Sequence, residues 1–177
     1  MILTGEEIRQ AVDNGDITIT PFNENNINPN SYDLTLDKKV TVLVDKRLDL
    51  AKKPNIDSFE IDTNGWLLVP GELYLMQTLE RTATSMFVPC IEGRSSIGRM
   101  GINIHATAGF GDVGFDGTWT LEVSVIKPVR IYAGVKIGQI YFMHTNWRFC
   151  KPYAGKYLGQ DTPRASEIYK EKDSWIT

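Results

Sequence analysis

Short runs of alternating apolar and polar residues, separated by glycine and proline, make up most of this 177-residue chain. Such runs predict β-strands, because successive side chains of a strand point to opposite faces of its sheet. Turn-forming residues such as Pro70-Gly71, Pro128 and Gly134 stand between them. This spacing favours a mainly β sandwich or barrel over alternating strands and helices. The predicted strands are Val40 to Val44, Trp66 to Val69, Glu72 to Leu79, Ile102 to His105, Trp119 to Ile126, Val129 to Tyr132 and Ile137 to Met143.

Helical patterns are expected at the two ends of the chain. Thr4 and Glu7 have the spacing of a capping box, and Gly15 can end the helix that begins there. The apolar face of this helix comprises Ile8, Ala11 and Val12. Near the other end, Pro163 predicts the first turn of a short closing helix. Residues 22–30 and 46–59 are expected to be loops.

Composition limits the function classes. With 42% apolar residues, the chain can bury one sizeable core, so residues 1–177 are expected to form a single domain. A net charge of −3 argues against non-specific nucleic-acid binding, which needs a basic face. The first residues show no basic-then-apolar pattern and no apolar run reaches membrane-spanning length, so a soluble and unexported protein is expected. Two widely spaced cysteines, Cys90 and Cys150, fit free thiols and a cytoplasmic location.

Chemically active residue types are concentrated between positions 93 and 122. Arg94 and Arg99 flank Ser95, Ser96 and Gly98. Guanidinium groups, hydroxyls and approachable backbone N–H groups can together hold a phosphate chain, so a nucleotide is indicated. Taken alone, an Arg-Ser-Ser turn is more often an ordinary surface loop.

Two carboxylates follow in the same stretch. Strand alternation places Trp119, Leu121 and Val123 on one face and Glu122 on the other, which makes Glu122 a candidate base. A strand glutamate is also commonly just a solvated outward residue, and the combination with Asp112 and the arginines is what favours a site.

The motifs GRSSIGR, HATAGFGDVGFDG and TLE resemble those of the dCTP deaminase family, which shares its fold with the trimeric dUTPases. The resemblance covers nearly the whole chain, in family order. It extends to Asn30-Ser31-Tyr32-Asp33-Leu34-Thr35-Leu36, Gly134-Val135-Lys136-Ile137-Gly138-Gln139, Pro152-Tyr153 and Gly155-Lys156-Tyr157-Leu158-Gly159-Gln160. It implies a mainly β, dUTPase-like distorted barrel or jelly roll with a short N-terminal and a short C-terminal helix.

The resemblance also implies a mechanism without a metal at the base. Glu122 would act as general base and acid, and Ser95 with the Ala108 carbonyl would orient the attacking water. Arg99 would stabilise charge in the tetrahedral adduct. The zinc-deaminase signature is missing, because Pro89-Cys90 is not followed by a nearby second cysteine, so no zinc is expected. His105 is interpreted as a strand residue near the pocket rather than as a metal ligand.

Further expectations come from the family alone. Family members are trimers with active sites at subunit interfaces. Feedback inhibition by dTTP is common among them, and Mg²⁺ is bound to the phosphate oxygens of the nucleotide. The substrate-binding positions carried over are Arg94, Ser95, Ser96, Ile97, Gly98, Arg99, Asp112, Thr120, Leu121, Glu122, Gln139, Tyr153, Lys156 and Gln160.

The product is the open question within the family. Members that also cleave the triphosphate read A-G-F where many deaminase-only members read A-H-R, and this chain has Ala108-Gly109-Phe110. A dUMP-forming enzyme is therefore predicted, although Gly109 could simply serve a turn. Val113 replaces the proline of the common D-P-G, which weakens that prediction. A dUTP-forming deaminase, a dUTPase and a non-catalytic regulator remain alternatives.

Overall fold

The computed structural model describes residues 1–105 and 108–175. Ten strands dominate this part of the chain, and each strand pairing is antiparallel. The strands are β1 (Ile17–Thr20), β2 (Tyr32–Leu43), β3 (Ile56–Glu60), β4 (Trp66–Leu68), β5 (Tyr74–Thr84), β6 (Phe87–Gly93), β7 (Ile102–Asn103), β8 (Asp116–Val125), β9 (Val129–Ile131) and β10 (Lys136–His144). The helices are α1 (Gly5–Asp13), α2 (Ser95–Gly98) and the 3₁₀ helices Glu24–Asn26, Trp147–Phe149 and Ile168–Ser174.

Eight strands form one curled, nearly closed barrel-like sheet, which confirms the predicted mainly β, dUTPase-like fold. The order along the sheet is β6-β10-β2-β5-β8-β7, with β1 beside β5 and β3 beside β2, while β4 and β9 form a separate pair. Its inner face buries large side chains from β2, β5, β8 and β10, among them Leu34, Met76, Leu121 and Phe142. This packed core fixes the position of β8, the strand that carries Glu122.

The strand predictions located most of the sheet but not its full extent. Strand β2 begins eight residues before the predicted Val40, and β5 continues to Thr84. Strands β1, β3 and β6 were not predicted, and β3 begins inside the stretch 46–59 that was expected to be a loop and ends one residue beyond it. His105 was expected to be a strand residue, but strand β7 ends at Asn103 and His105 lies outside it. Within residues 22–30, Glu24–Asn26 forms one 3₁₀ turn.

Helix α1 follows its prediction closely. The Thr4 side chain accepts from the Glu7 N–H and the Glu7 carboxylate accepts from the Thr4 N–H, so both halves of the capping box are present. Ile8 and Ala11 are buried against the sheet, and Gly15, with φ 79°, follows the last turn in the left-handed region.

The C-terminal helix differs from its prediction. Pro163 lies in a non-helical segment, and the closing helix is a 3₁₀ helix that begins five residues later, at Ile168. The competing interaction is with the sheet, because the segment before the helix is hydrogen-bonded to strand residues: the Arg164 N–H donates to Thr120 Oγ1 and the Pro163 carbonyl accepts from Thr41 Oγ1. No helix in the described residues has the length and apolar run that crossing a bilayer requires.

Candidate active site

Strand β8 presents Glu122 to a pocket while its alternate residues build the core. Leu121 and Val123 are 2% and 0% exposed, whereas Glu122 is half-buried, as the alternation of the sequence predicted. The pocket measures about 500 Å³, and Glu122, Thr120 and Trp119 line it from β8. A carboxylate therefore stands on the wall of a cavity that is large enough for a small ligand.

Burial changes the protonation behaviour of this carboxylate. Loss of solvent around Glu122 raises the pKa of its carboxyl above the ordinary glutamate value, and the nearby His105 opposes that rise. A raised pKa brings a carboxyl closer to neutral pH, where it can both accept and donate a proton.

A loop of residues 108–112 forms a second wall of the pocket. Strand β6 holds this loop through two backbone hydrogen bonds: the Ile91 N–H donates to the Gly109 carbonyl at 2.7 Å, and the Gly111 N–H donates to the Pro89 carbonyl at 2.9 Å. Ala108, Phe110, Gly111 and Asp112 line the cavity. Ala106 and Thr107 of the HATAGF motif lie outside the described residues.

Gly109 is required by the closeness of this contact. A Cβ at position 109 would lie 2.5 Å from the Ile91 carbonyl oxygen and 2.6 Å from His105 Nε2, closer than real Cβ atoms approach. The neighbouring Phe110 is 66% exposed and adds an apolar surface to the pocket. The glycine and the phenylalanine of the A-G-F motif thus have distinct physical roles in the loop.

Asp112 stands at the start of the turn that follows. The side chain is exposed and lines the pocket, and the Asp112 carbonyl accepts from the Phe115 N–H. Val113 is 7% exposed, and its carbonyl accepts from the Tyr153 N–H at 2.8 Å. This bond joins the turn to the C-terminal segment.

Residues 153–166 of the C-terminal segment form the third wall. Gln160 is 4% exposed, and its side-chain Nε2 donates to the Thr118 carbonyl at 2.6 Å. The backbone carbonyl of Gln160 accepts from the Thr118 N–H. The Tyr153 ring packs edge-on against Phe115, with 5.9 Å between ring centroids. Tyr153, Tyr157, Gln160 and Arg164 all line the cavity from this segment.

Some predicted site residues lie away from the pocket within one chain. Ser95, Ser96, Gly98 and Arg99 are exposed on or beside helix α2, and they do not line the cavity. Leu121 lies in the core, and Ile97 packs against it. Lys156 pairs with Glu171 instead of lining the pocket. The remaining predicted positions outside the cavity are Gly109, in the loop against β6, and Arg94 and Gln139, on neighbouring elements of the β6-β10-β2 sheet region.

The structure also adds residues that sequence reasoning did not assign. Phe115, Tyr157 and Arg164 line the pocket, and Asp33 and Lys136 contact Arg94. For Asp33 and Lys136 a signal existed, because both lie within the quoted motifs. Arg164 lay in a segment predicted as helix, and nothing in its local pattern marked it.

Comparison with known proteins assigns this architecture to a family. Residues 2–145 match the family model described as dCTP deaminase-like, and the chain belongs to that family. A curated relative from Clostridium acetobutylicum, named dCTP deaminase, dUMP-forming, is 47% identical over 171 residues, covering 97% of this chain and 98% of that protein. Relatives of the same name from Hathewaya histolytica and Leptospira biflexa are 44% and 46% identical, each over 97% of this chain and 99% and 98% of their own lengths.

A solved structure supports the fold. The crystal structure of 2'-deoxycytidine 5'-triphosphate deaminase from Agrobacterium tumefaciens superimposes with a TM-score of 0.65 at 19% identity. The match covers 81% of this chain and 48% of that one, so this chain spans about half of the solved protein. At this level of identity the likeness shows a shared fold.

Proposed function

We propose that this protein is a dUMP-forming dCTP deaminase. It would convert dCTP and water to dUTP and ammonia, and then dUTP and a second water to dUMP and pyrophosphate. The observation that carries the proposal is a desolvated Glu122 facing a pocket that Ala108 and Asp112 also line, in a chain 44–47% identical to relatives of that name. The dUMP that this enzyme forms would be used in thymidylate synthesis.

In the first step Glu122 takes a proton from a water that attacks C4 of the cytosine ring. The carboxyl delivers this proton to N3. It then takes the second proton from the hydroxyl of the tetrahedral adduct and delivers it to the amino group, so that ammonia leaves and the uracil carbonyl forms. Ala108 lines the same pocket, and its carbonyl would orient the water. The raised pKa of Glu122 suits a group that must both take and return a proton.

Ser95 and Arg99 are the other groups that the first step uses, and a neighbouring subunit would supply them. Within one chain both are exposed and neither lines the pocket with Glu122. A homotrimer with sites at its interfaces would bring the Arg94–Arg99 segment of one subunit onto the pocket of the next. The phosphate chain would lie along Arg94, Ser95 and Ser96, and the base against Glu122.

In the second step water breaks the bond between the α-phosphate and the pyrophosphate group. We assign its activation to Asp112, whose exposed carboxylate lies on the pocket wall beside Phe110. Gly109 keeps the loop that carries Asp112 close to β6, because a Cβ at position 109 would lie 2.5 Å from the Ile91 carbonyl oxygen.

Mg²⁺ would enter with the substrate, bound to its phosphate oxygens. Among the described residues, no group of three or more His, Cys, Asp or Glu side chains is placed to hold a metal ion. A cation that the triphosphate itself coordinates needs few protein ligands, which fits these residues. There it would neutralise negative charge on the pyrophosphate leaving group.

We place the reaction in the cytoplasm and expect dTTP to inhibit it. Cys90 and Cys150 are free thiols, as a reducing compartment allows. The nucleotide dTTP has the triphosphate and sugar of the reaction's substrates, so it would compete for the same pocket.

A time course with separated nucleotides tests the function. The protein is incubated with dCTP and Mg²⁺, with dUTP in parallel, and products are resolved by anion exchange. Formation of dUMP without accumulation of dUTP is expected, and Asp112→Asn should lower pyrophosphate release more than ammonia release. Accumulating dUTP would identify a deaminase only, turnover of dUTP alone a dUTPase, and binding without any turnover a regulator.

A further inference from the structure

A buried carboxylate holds two cations at the edge of the segment that carries Arg94. Asp33 on β2 has a side chain that is 5% exposed. Its Oδ1 lies 3.0 Å from Arg94 Nε and its Oδ2 lies 3.2 Å from Lys136 Nζ. The Asn28 amide donates to the same Oδ1 at 2.9 Å. These contacts are possible because β6, β10 and β2 are neighbours in the sheet.

Further hydrogen bonds fix both cations in place. Arg94 Nη1 donates to the Lys136 carbonyl at 3.3 Å, and Lys136 Nζ donates to the Asn25 carbonyl at 3.1 Å. Both side chains still reach solvent, with 33% of Arg94 and 37% of Lys136 exposed. Each cation therefore has a fixed position and an accessible part that can meet a ligand.

The charges of this cluster do not balance. Asp33 has one negative charge, and the two side chains that pair with it, Arg94 and Lys136, have two positive charges. Ser95 and Ser96, both exposed, follow Arg94 directly. An excess positive charge beside exposed hydroxyls favours a polyanion with several oxygens, such as a triphosphate.

We infer that Lys136 is a second phosphate-binding cation beside Arg94 and that Asp33 positions both. The inference rests on the proposed function, in which Arg94 contacts the triphosphate, and it adds to that function a residue on β10. Lys136 contributes charge to binding of the phosphate chain and takes no part in proton transfer at the base.

Charge removal at position 136 tests this role. Lys136→Met is compared with Lys136→Arg, which keeps the charge, and with Lys38→Met, which breaks an exposed ion pair with Glu60 on another part of the sheet. KM and kcat are measured for dCTP, and direct calorimetry measures binding of inorganic tripolyphosphate. Lys136→Met should raise KM and the tripolyphosphate Kd by about tenfold, the effect of one lost charge-assisted hydrogen bond, with kcat nearly unchanged.

The controls separate a binding role from a structural one. Lys136→Arg should retain most of the affinity, and Lys38→Met should leave both constants unchanged. Asp33→Asn should also raise KM, and by less in the Lys136→Met background, because one of the cations it positions is already gone. A loss of kcat and melting temperature at unchanged KM and Kd would overturn the inference.

Failure of the proposed function gives a different result. If the wild-type protein binds tripolyphosphate through Lys136 but does not turn over dCTP or dUTP, the function is wrong and the phosphate site stands. If the wild-type protein does not bind tripolyphosphate, or binds it equally well without Lys136, the phosphate site is wrong whatever the turnover.

Discussion

Glu122 links the strand pattern, the pocket and the chemistry in one side chain. Glu122→Gln removes the ionisable group but keeps the shape, so ammonia release should fall by about 10²- to 10⁴-fold while nucleotide binding remains. The matched control is Glu80→Gln, since Glu80 is buried on the adjacent strand β5 and burial raises its pKa too. Equal turnover in Glu122→Gln and the wild type would contradict the mechanism.

The same substitution should stabilise the fold. The pKa of Glu122 is raised in the folded state, so the folded protein holds this proton more tightly than the unfolded chain does. The free energy of unfolding therefore falls as pH rises from the ordinary glutamate pKa to the raised pKa of Glu122 in the folded protein. At higher pH it remains at the lower value. Glu122→Gln should consequently melt at a higher temperature than the wild type at neutral pH, by calorimetry.

The pH dependence of deamination follows from the same carboxyl. Glu122 must be ionised to take a proton from water, so kcat/KM should fall as pH drops through its raised pKa. The acid limb of the profile should therefore lie above the ordinary glutamate value of about 4.3. An acid limb at that ordinary value, measured as ammonia release from dCTP, would argue against Glu122 as the base.

The loop of residues 108–112 depends on its close contact with strand β6. Gly109→Ala would place a Cβ 2.5 Å from the Ile91 carbonyl oxygen, so the loop must move and its 2.7 Å hydrogen bond must lengthen. Because the loop carries Ala108 and Asp112, we expect kcat/KM to fall by about 10²-fold for both steps, together with a lower melting temperature.

A second glycine provides the comparison. Gly93→Ala adds a Cβ whose nearest neighbour is Ile104 Cγ1 at 3.8 Å, an ordinary contact. This variant should behave as the wild type in turnover and in thermal melting. A Gly109→Ala protein that also behaves as the wild type would show that the loop tolerates displacement.

Some strands and helices could be predicted from the sequence, and others could not. Strand β8 was predictable because it alternates buried and half-buried residues from Trp119 to Val125. Strand β3 was not, because four of its five residues are exposed and its pattern carries little burial signal. The Pro163 prediction used a local helix rule, and hydrogen bonds to Thr41 and Thr120 prevailed over it.

The pocket itself could not be derived from spacing alone. Glu122, Asp112 and Tyr153 meet through sheet pairing and the Tyr153–Val113 hydrogen bond, which are long-range interactions. Their assignment in the sequence came from family motifs, and the family is confirmed. The same motifs could not tell that one chain presents Glu122 to the pocket but leaves Ser95 and Arg99 outside it.

The proposed trimer would supply from a neighbouring subunit the Ser95 and Arg99 that do not line the pocket of their own chain. Mixing Glu122→Gln subunits with Arg99→Ala subunits should restore deamination if each site combines Glu122 of one chain with Arg99 of the next. In random trimers about a quarter of the sites would contain both native residues. Mixed assembly is checked by mass spectrometry of the intact complex, and ammonia release is measured.

A site formed within a single subunit predicts a different result. If each subunit folds its own Arg99 onto its own Glu122, mixed assemblies should be as inactive as the separate variants. Recovery of activity in proportion to the fraction of mixed trimers would show that the pocket described for one chain is completed across an interface.

Trp119 gives the pocket an optical signal of its own. The indole is 8% exposed, its Nε1 donates to Thr82 Oγ1 at 2.8 Å, and its ring lines the cavity beside Phe115. The other three tryptophans, Trp66, Trp147 and Trp175, are 39–42% exposed. An aqueous quencher such as iodide should therefore quench the fluorescence of those three tryptophans first. The blue-shifted emission that remains would come from Trp119 and would report nucleotide binding in the pocket without an attached dye.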